Sequence, residues 1–244
     1  MTLEEKERNG NFKLSWMSSR LIPILILLTT LMLTYYTYDN SYCIKEDTTD
    51  LAAAIRDYIP NQKVKAEVNL IQSEDNWMYV IFSDSQYGEC FMGMVLLKRG
   101  WNGKYVIRSA EYGSGPPIRL TVKPDNKSQV IIYGSIKDRR AVRYEYAKSI
   151  QDIYYEVMYK GNIDQETFFQ VQENKDFWWT GFRLFDAQGM DITDSYLSKQ
   201  FKNAPAGSVN SAEIFMIDIK CLIILLLGIG LAVGMRNRRR STKS

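Results

Sequence analysis

LIPILILLTTLML, Leu21 to Leu33, is thirteen residues without a charge, and CLIILLLGIGLAVGM, Cys221 to Met235, is fifteen more. No other apolar stretch of the 244-residue chain comes close to these lengths, so they decide the architecture. Counted from Arg20 to Tyr38, the first reaches the ~20 residues that cross ~30 Å of hydrocarbon. Tyr35, Tyr36 and Tyr38 suit one interface and Trp16 the other, because amphipathic rings settle at headgroup level. A cleavable signal peptide is the competing reading, since an apolar core of this size is common to both. The following TYYTYDNSY has no pair of small residues at −3 and −1, and Tyr42 stands where a lipoprotein signal needs a small residue before Cys43. An uncleaved anchor is expected. The second stretch reaches span length when Ile214 to Ile219 are included, with Asp218 and Lys220 in its outer turn, where ionisable side chains snorkel to water.

Charge sets the expected orientation. The chain carries a net +3 and no histidine. The first twenty residues carry Lys6, Arg8, Lys13 and Arg20 against Glu4, Glu5 and Glu7, a net +1, and the tail 236–244 carries Arg236, Arg238, Arg239, Arg240 and Lys243 without an acid. Cations flanking a span stay inside, so both termini are expected in the cytoplasm of a plasma-membrane protein, with residues 39–213 outside. RNRRR directly after a span reads as a stop-transfer signal, and no nucleic-acid partner is expected. The predicted order is a tail at 1–19, a transmembrane helix at 20–38, an extracytoplasmic helix and β-meander lobe at 39–112, a β-sandwich-like lobe at 113–192, a juxtamembrane stalk at 193–213, a transmembrane helix at 214–235 and the basic tail 236–244. The fold class is α+β.

Between the spans the hydrophobic period changes. Thr48 to Ile59 has Leu51, Ile55 and Tyr58 at helical spacing, with Asp50 or Thr49 as cap and Pro60 as stop. From Val64 to Leu70 apolar residues alternate with Lys65, Glu67 and Asn69, the pattern of a half-buried strand. Trp77 to Phe82, Phe91 to Leu97 and Tyr105 to Ala110 follow as strands, separated by turn residues that include Gly100-Trp101-Asn102-Gly103. Gly113-Ser114-Gly115-Pro116-Pro117 is the strongest break. Beyond it Gln129 to Ser135, Val142 to Tyr146, Ile153 to Lys160, Thr167 to Gln172 and Phe177 to Asp186 read as strands of a small sandwich. The succession GSGPPI, VIIYGSIKDRRAVRYEY, FFQVQ and FWWTGFRLFDAQGMDIT resembles the C-terminal β-domain of uncharacterised membrane-anchored proteins of Gram-positive bacteria. The resemblance covers about residues 113–192. It implies a bacterial extracytoplasmic location and no activity.

The residue inventory excludes more chemistry than it offers. Without histidine there is no Ser-His-Asp or Cys-His catalysis and no imidazole metal ligand. No C-x-x-C pair and no phosphate-cradling glycine loop is present, so no metal, cofactor or catalytic residue is expected. Asp186, Asp191 and Asp194 cluster in DAQGMDITD without the spacing of a calcium loop. Glu46, Asp47 and Asp50 sit where a helix N-terminus favours negative charge. Cys43 and Cys90 fall outside the cytoplasm, where a bridge persists, or they remain free thiols. Alternation along FWWTGFRLF puts Phe177, Trp179 and Phe185 on the face away from a sandwich core, as an aromatic patch for a glycan, a peptide or a partner, unless that face is itself covered. In the second span, Gly228-x-x-x-Ala232 and Gly230-x-x-x-Gly234 let helix backbones approach, against Thr30 and Thr34 of the first span, a homodimer mate or another membrane subunit. The expected function is a membrane-anchored extracytoplasmic binding or accessory module and not an enzyme, with the lipid bilayer and a membrane protein as partners. The alternatives are a surface hydrolase using paired carboxylates and, on topology alone, a polysaccharide chain-length regulator or kinase adaptor.

Overall fold

Asp47, rather than Thr49 or Asp50, opens the first helix of the folded region: its carboxylate accepts from Thr49 N at 3.1 Å and Asp50 N at 3.2 Å. The computed structural model describes residues 3–59, 64–88, 91–150, 154–175, 180–197, 206–210 and 213–241. It divides into a β-rich unit, Ile44–Ser211, and a unit of the two terminal segments, Met1–Cys43 with Ala212–Ser244.

The terminal unit consists of α1 (Leu3–Ser41) and α4 (Glu213–Ser241). Leu21–Ser41 and Phe215–Arg236, with mean hydropathies of 1.7 and 2.4, are long and apolar enough to cross a membrane. Helix α1 starts well before the expected span and continues through Pro23. Thr29, Thr30, Thr34 and Thr37 donate their hydroxyls to carbonyls four residues earlier at 2.7–2.9 Å. Their polar groups are thus satisfied inside the helix, as an apolar surrounding requires.

In the β-rich unit, α2 (Thr48–Tyr58) follows Asp47. A five-stranded antiparallel sheet comes next, built of β1 (Glu67–Glu74), β2 (Trp77–Ser83), β3 (Phe91–Arg99), β4 (Tyr105–Ser114) and β11 (Gly207–Asn210), in the order β1-β2-β3-β4-β11. The break at 113–117 then sends the chain into a second sheet, β5 (Ile118–Lys123), β6 (Asn126–Ser135) and β9 (Thr167–Glu173), ordered β5-β6-β9. A third sheet, β7 (Arg143–Ile150), β8 (Tyr154–Asn162) and β10 (Thr180–Phe185), is ordered β10-β7-β8.

Burial shows how these layers stack. Every residue from Trp77 to Phe82 is buried. Met78, Val80 and Phe82 join Leu51, Ile55 and Ile59 in one core, beneath α2. Trp77, Tyr79 and Ile81 point the other way, into a core shared with Met92, Met94 and Leu96 of β3 and with Ile131 and Tyr133 of β6. Strand β6 repeats the arrangement: Val130 and Ile132 face a third core with Tyr144, Tyr146, Tyr159 and Leu184. The layers are α2, five strands, three strands and three strands, and β2, β3 and β6 of the two central sheets are covered on both faces. This accounts for strands that read as continuous apolar runs instead of alternating ones.

The stretch read as a stalk contributes to the folded unit instead. Residues Thr193–Leu197 form α3, whose Tyr196 is 2% exposed within the third core. Strand β11 closes the β4 edge, with Gly207 opposite Tyr112 and Asn210 opposite Ser109.

Candidate functional site

The second sheet covers β2 and β3 but leaves part of the β4–β11 face open. On that face stand Ser109, Glu111, Ser208 and Asn210, with Val209 turned into the core beneath α2. Two adjoining cavities run between these residues and the β5–β6 hairpin. The smaller, about 160 Å³, is lined by Tyr79, Glu111, Thr121, Val122, Pro124 and Ser208 among others. The larger, about 340 Å³, is lined by Trp77, Lys98, Arg108 and Asp125, and the two share Leu96, Ser109, Pro124 and Asn210.

One wall of this groove is locked by buried polar chemistry. Strand β1 turns into β2 through Asp75 and Asn76, with Asp75 at φ 55°, and β5 turns into β6 through Pro124 and Asp125. Lys123, 6% exposed, donates to Glu74 Oε1 at 2.8 Å and to Asp75 Oδ2 at 3.3 Å. The indole of Trp77 donates to Asp125. These bonds tie two hairpin tips that propensity alone would leave independent. The Glu74 hydrogen bond holds the Lys123 ammonium above its ordinary pKa despite the opposing effect of desolvation.

The floor of the smaller cavity is Tyr79. Its ring is 1% exposed, and its hydroxyl has no hydrogen-bond partner among the described residues. Burial, then the nearby Glu74, Asp125 and Asp75 carboxylates, push that hydroxyl far above its ordinary pKa, so it is neutral and able to donate. An unpaired buried hydroxyl costs about 1–3 kcal/mol, and its persistence calls for a reason.

The acids singled out in the sequence are engaged elsewhere. Asp186 Oδ1 accepts from Gln188 N at 3.0 Å and Met190 N at 2.8 Å, shaping a turn whose Gly189 has φ 83°. Asp191 accepts from Thr193 N, from Thr193 Oγ1 and from Arg183 Nε at 2.6–3.0 Å. Burial raises the Asp191 carboxyl, but the Thr193 bonds and Arg183 outweigh it and hold the group below the usual carboxylate range. A carboxyl held ionised in this way is a poor general acid near neutrality.

Of the aromatic residues expected on an exposed patch, Phe177 and Trp179 lie outside the described residues. Phe185 is only 8% exposed: the guanidinium of Arg143 lies 4.6 Å from its ring centroid and that of Arg183 lies 5.5 Å away. Two long side chains fold across the ring, and cation–π attraction keeps them there. Cys43 is exposed, whereas Cys90, and with it the expected Cys43–Cys90 bridge, lies outside the described residues.

The small residues of α4 divide into two ridges. A Cβ on Gly228 would overlap the Thr30 side chain, and Ala232 one turn later is 6% exposed. This ridge belongs to the contact between α4 and α1, where Ile22, Ile26, Thr30 and Thr34 form a half-buried row at four-residue intervals. Gly230 and Gly234 would carry a Cβ into open space. Gly228→Leu should therefore widen the α1–α4 separation by roughly 2 Å, a change within the range that contact side chains set, while Gly230→Leu leaves it unchanged. Spin labels on the exposed positions Leu25 and Leu231 would read the distance, and equal responses from the two variants would refute this division.

Comparison of the chain with known protein families, with curated proteins and with solved structures finds no match.

Proposed function

We propose that the chain is a membrane-anchored binding or accessory module. On this reading α1 and α4 cross the plasma membrane, both termini are cytoplasmic, and the β-rich unit recognises a polar ligand outside the cell, a glycan or a peptide segment, in the groove beside β11. The similarity of residues 113–192 to anchored proteins of Gram-positive bacteria is part of this reading. The observation that carries it is the neutral, unpaired Tyr79 hydroxyl beneath an open, hydroxyl- and amide-lined groove. Protein interiors rarely keep such a group unless something completes its hydrogen bond.

The test separates stability from recognition. Tyr79→Phe should leave stability unchanged or raise it by about 1 kcal/mol, because no protein hydrogen bond is lost and a desolvated hydroxyl is removed. The same substitution should weaken capture of whatever is crosslinked to a photoreactive residue at Ser208 when the tagged chain is purified from native membranes. A destabilised Tyr79→Phe, or capture indifferent to it, would overturn the groove as the binding site. Glu111 and Asp125, which line the two adjoining cavities, keep a second reading open, hydrolysis by paired carboxylates. Glu111→Gln distinguishes the two: a hydrolase would retain its ligand uncleaved, and a pure binding site would show no turnover with either side chain.

A further inference from the structure

The turn between β3 and β4 is tightly built. Gly100 N donates to Lys104 O at 2.8 Å, Gly103 N to Gly100 O at 3.0 Å, and Lys104 N to Asn102 Oδ1 at 3.1 Å, with Gly103 at φ 77°. This frame holds Trp101 out at 65% exposure, the largest side chain among the exposed hydrophobic residues described in the β-rich unit. From Lys98 to Arg108 the hairpin carries Lys98, Arg99, Lys104 and Arg108 and no acid.

Both connections of the β-rich unit to the rest of the chain are made on the outer edge of β4, the strand that leaves this turn. Ile44, its first residue, bridges Tyr105 through Ile44 N to Tyr105 O at 3.1 Å and Tyr105 N to Ile44 O at 2.8 Å. Asn210, at the other end, lies opposite Ser109 on a strand running towards the same turn. Tyr105 is four residues from Trp101, at most about 13 Å of strand. Only Tyr42 and Cys43 separate Ile44 from the end of the first apolar window, and only Ser211 and Ala212 separate Asn210 from α4.

We propose that the Trp101 turn is a lipid-docking element, which seats the indole at the headgroup level of an anionic bilayer while its basic flanks face the lipid charges. The proposal rests on the reading that α1 and α4 cross that bilayer. An indole with one apolar body and one polar N–H partitions to the interface, and cations within a Debye length of about 10 Å feel the surface potential of anionic lipid. Attachment at the same strand leaves only a short length of chain between the turn and each apolar helix.

The experiment uses the full chain reconstituted into vesicles of phosphatidylcholine with brominated phosphatidylglycerol, reading tryptophan quenching. The difference in quenching between the unaltered chain and Trp101→Phe, which cancels the contribution of Trp16, should rise with phosphatidylglycerol content. Arg99→Gln with Lys104→Gln should reduce that rise at least twofold and leave the folded far-ultraviolet spectrum unchanged. If Trp101→Phe leaves quenching unchanged while the protein resists urea extraction from the vesicles, the docking element is refuted and the spanning reading stands. If urea extracts the protein, the spanning reading fails and the docking proposal falls with it.

Discussion

Between pH 9 and 11 the β-rich unit should lose roughly 3–6 kcal/mol of stability, while between pH 6 and 8 it should be nearly indifferent to pH. The indifference follows from the absence of histidine, the side chain that ordinarily titrates there. The loss follows from Tyr79, Tyr133, Tyr144 and Tyr146, each at most 6% exposed. Burial, the leading cause in every case, pushes all four hydroxyls far above their ordinary value of 10.0. In the unfolded chain they ionise near that value; in the folded chain they keep their protons. Above pH 10 the unfolded state therefore binds fewer protons, and stability falls by up to about 1.4 kcal/mol per pH unit for each group. Halving that figure for residual solvent screening gives the lower end of the range. Lys123 acts in the same direction, because its raised pKa makes its contribution complete below 10.5 and lost as pH rises through the folded value. Denaturant midpoints across this range, with tyrosinate absorbance recorded alongside, are the measurement. Tyrosinate should appear in step with unfolding; a smooth rise in a chain that stays folded would show that these hydroxyls are not shielded. The loss is comparable with the whole margin of an ordinary domain, and Tyr79→Phe should shallow the slope.

Phe82→Ala should be the most damaging single truncation, costing about 3–5 kcal/mol and lowering the melting temperature by roughly 6–20 °C. Phe82 is fully buried in the core beneath α2 and lies directly across from Gly93 of β3. A Cβ at Gly93 would fall within the Phe82 ring, so the glycine exists to let the aromatic lie flat on the neighbouring strand. Phe91, with its centroid 6.4 Å away, closes the other side. Removing the ring leaves a void that two strands and a helix cannot all collapse into. Gly93→Ala alone should cost about 1–3 kcal/mol by overpacking, but in the Phe82→Ala background it should cost little or restore stability. Strict additivity of the two would show that they do not share the space described.

Elements whose identity is local were legible from residues alone. The helix Thr48–Tyr58 was legible from its own apolar positions, although its cap is Asp47 and not Thr49 or Asp50. The runs at Trp77, Phe91, Tyr105 and Gln129 were clear because apolar, β-rich segments lay between turn residues. What escaped depended on distant partners. Strand β5, IRLTVK, is hidden behind the prolines at 116 and 117, and only its pairing with β6 reveals it. Strand β11, GSVN, has almost no propensity of its own and forms because β4 offers an open edge. The groove was invisible for the same reason, since Ser208 and Asn210 belong to the segment read as a stalk. For Phe185 the sequence left open whether its face is covered, because alternation says which way a ring points and nothing about which arginines fold over it.

The position of β11 also bears on how the protein is made. Its partner edge on β4 is complete once Tyr112 has been synthesised, yet Gly207 emerges about a hundred residues later, roughly 5–20 s at ordinary elongation rates. Throughout that interval the growing sheet presents an unprotected row of backbone donors and acceptors beside Glu111 and Ser109, open to strand pairing with a neighbouring nascent chain. The four residues that close it arrive just before the second apolar helix leaves the ribosome. Completion of the sheet and commitment of the C-terminal helix to its final environment are therefore nearly simultaneous events in biogenesis, and release of the chain before Gly207 would leave an aggregation-prone edge for quality control to clear.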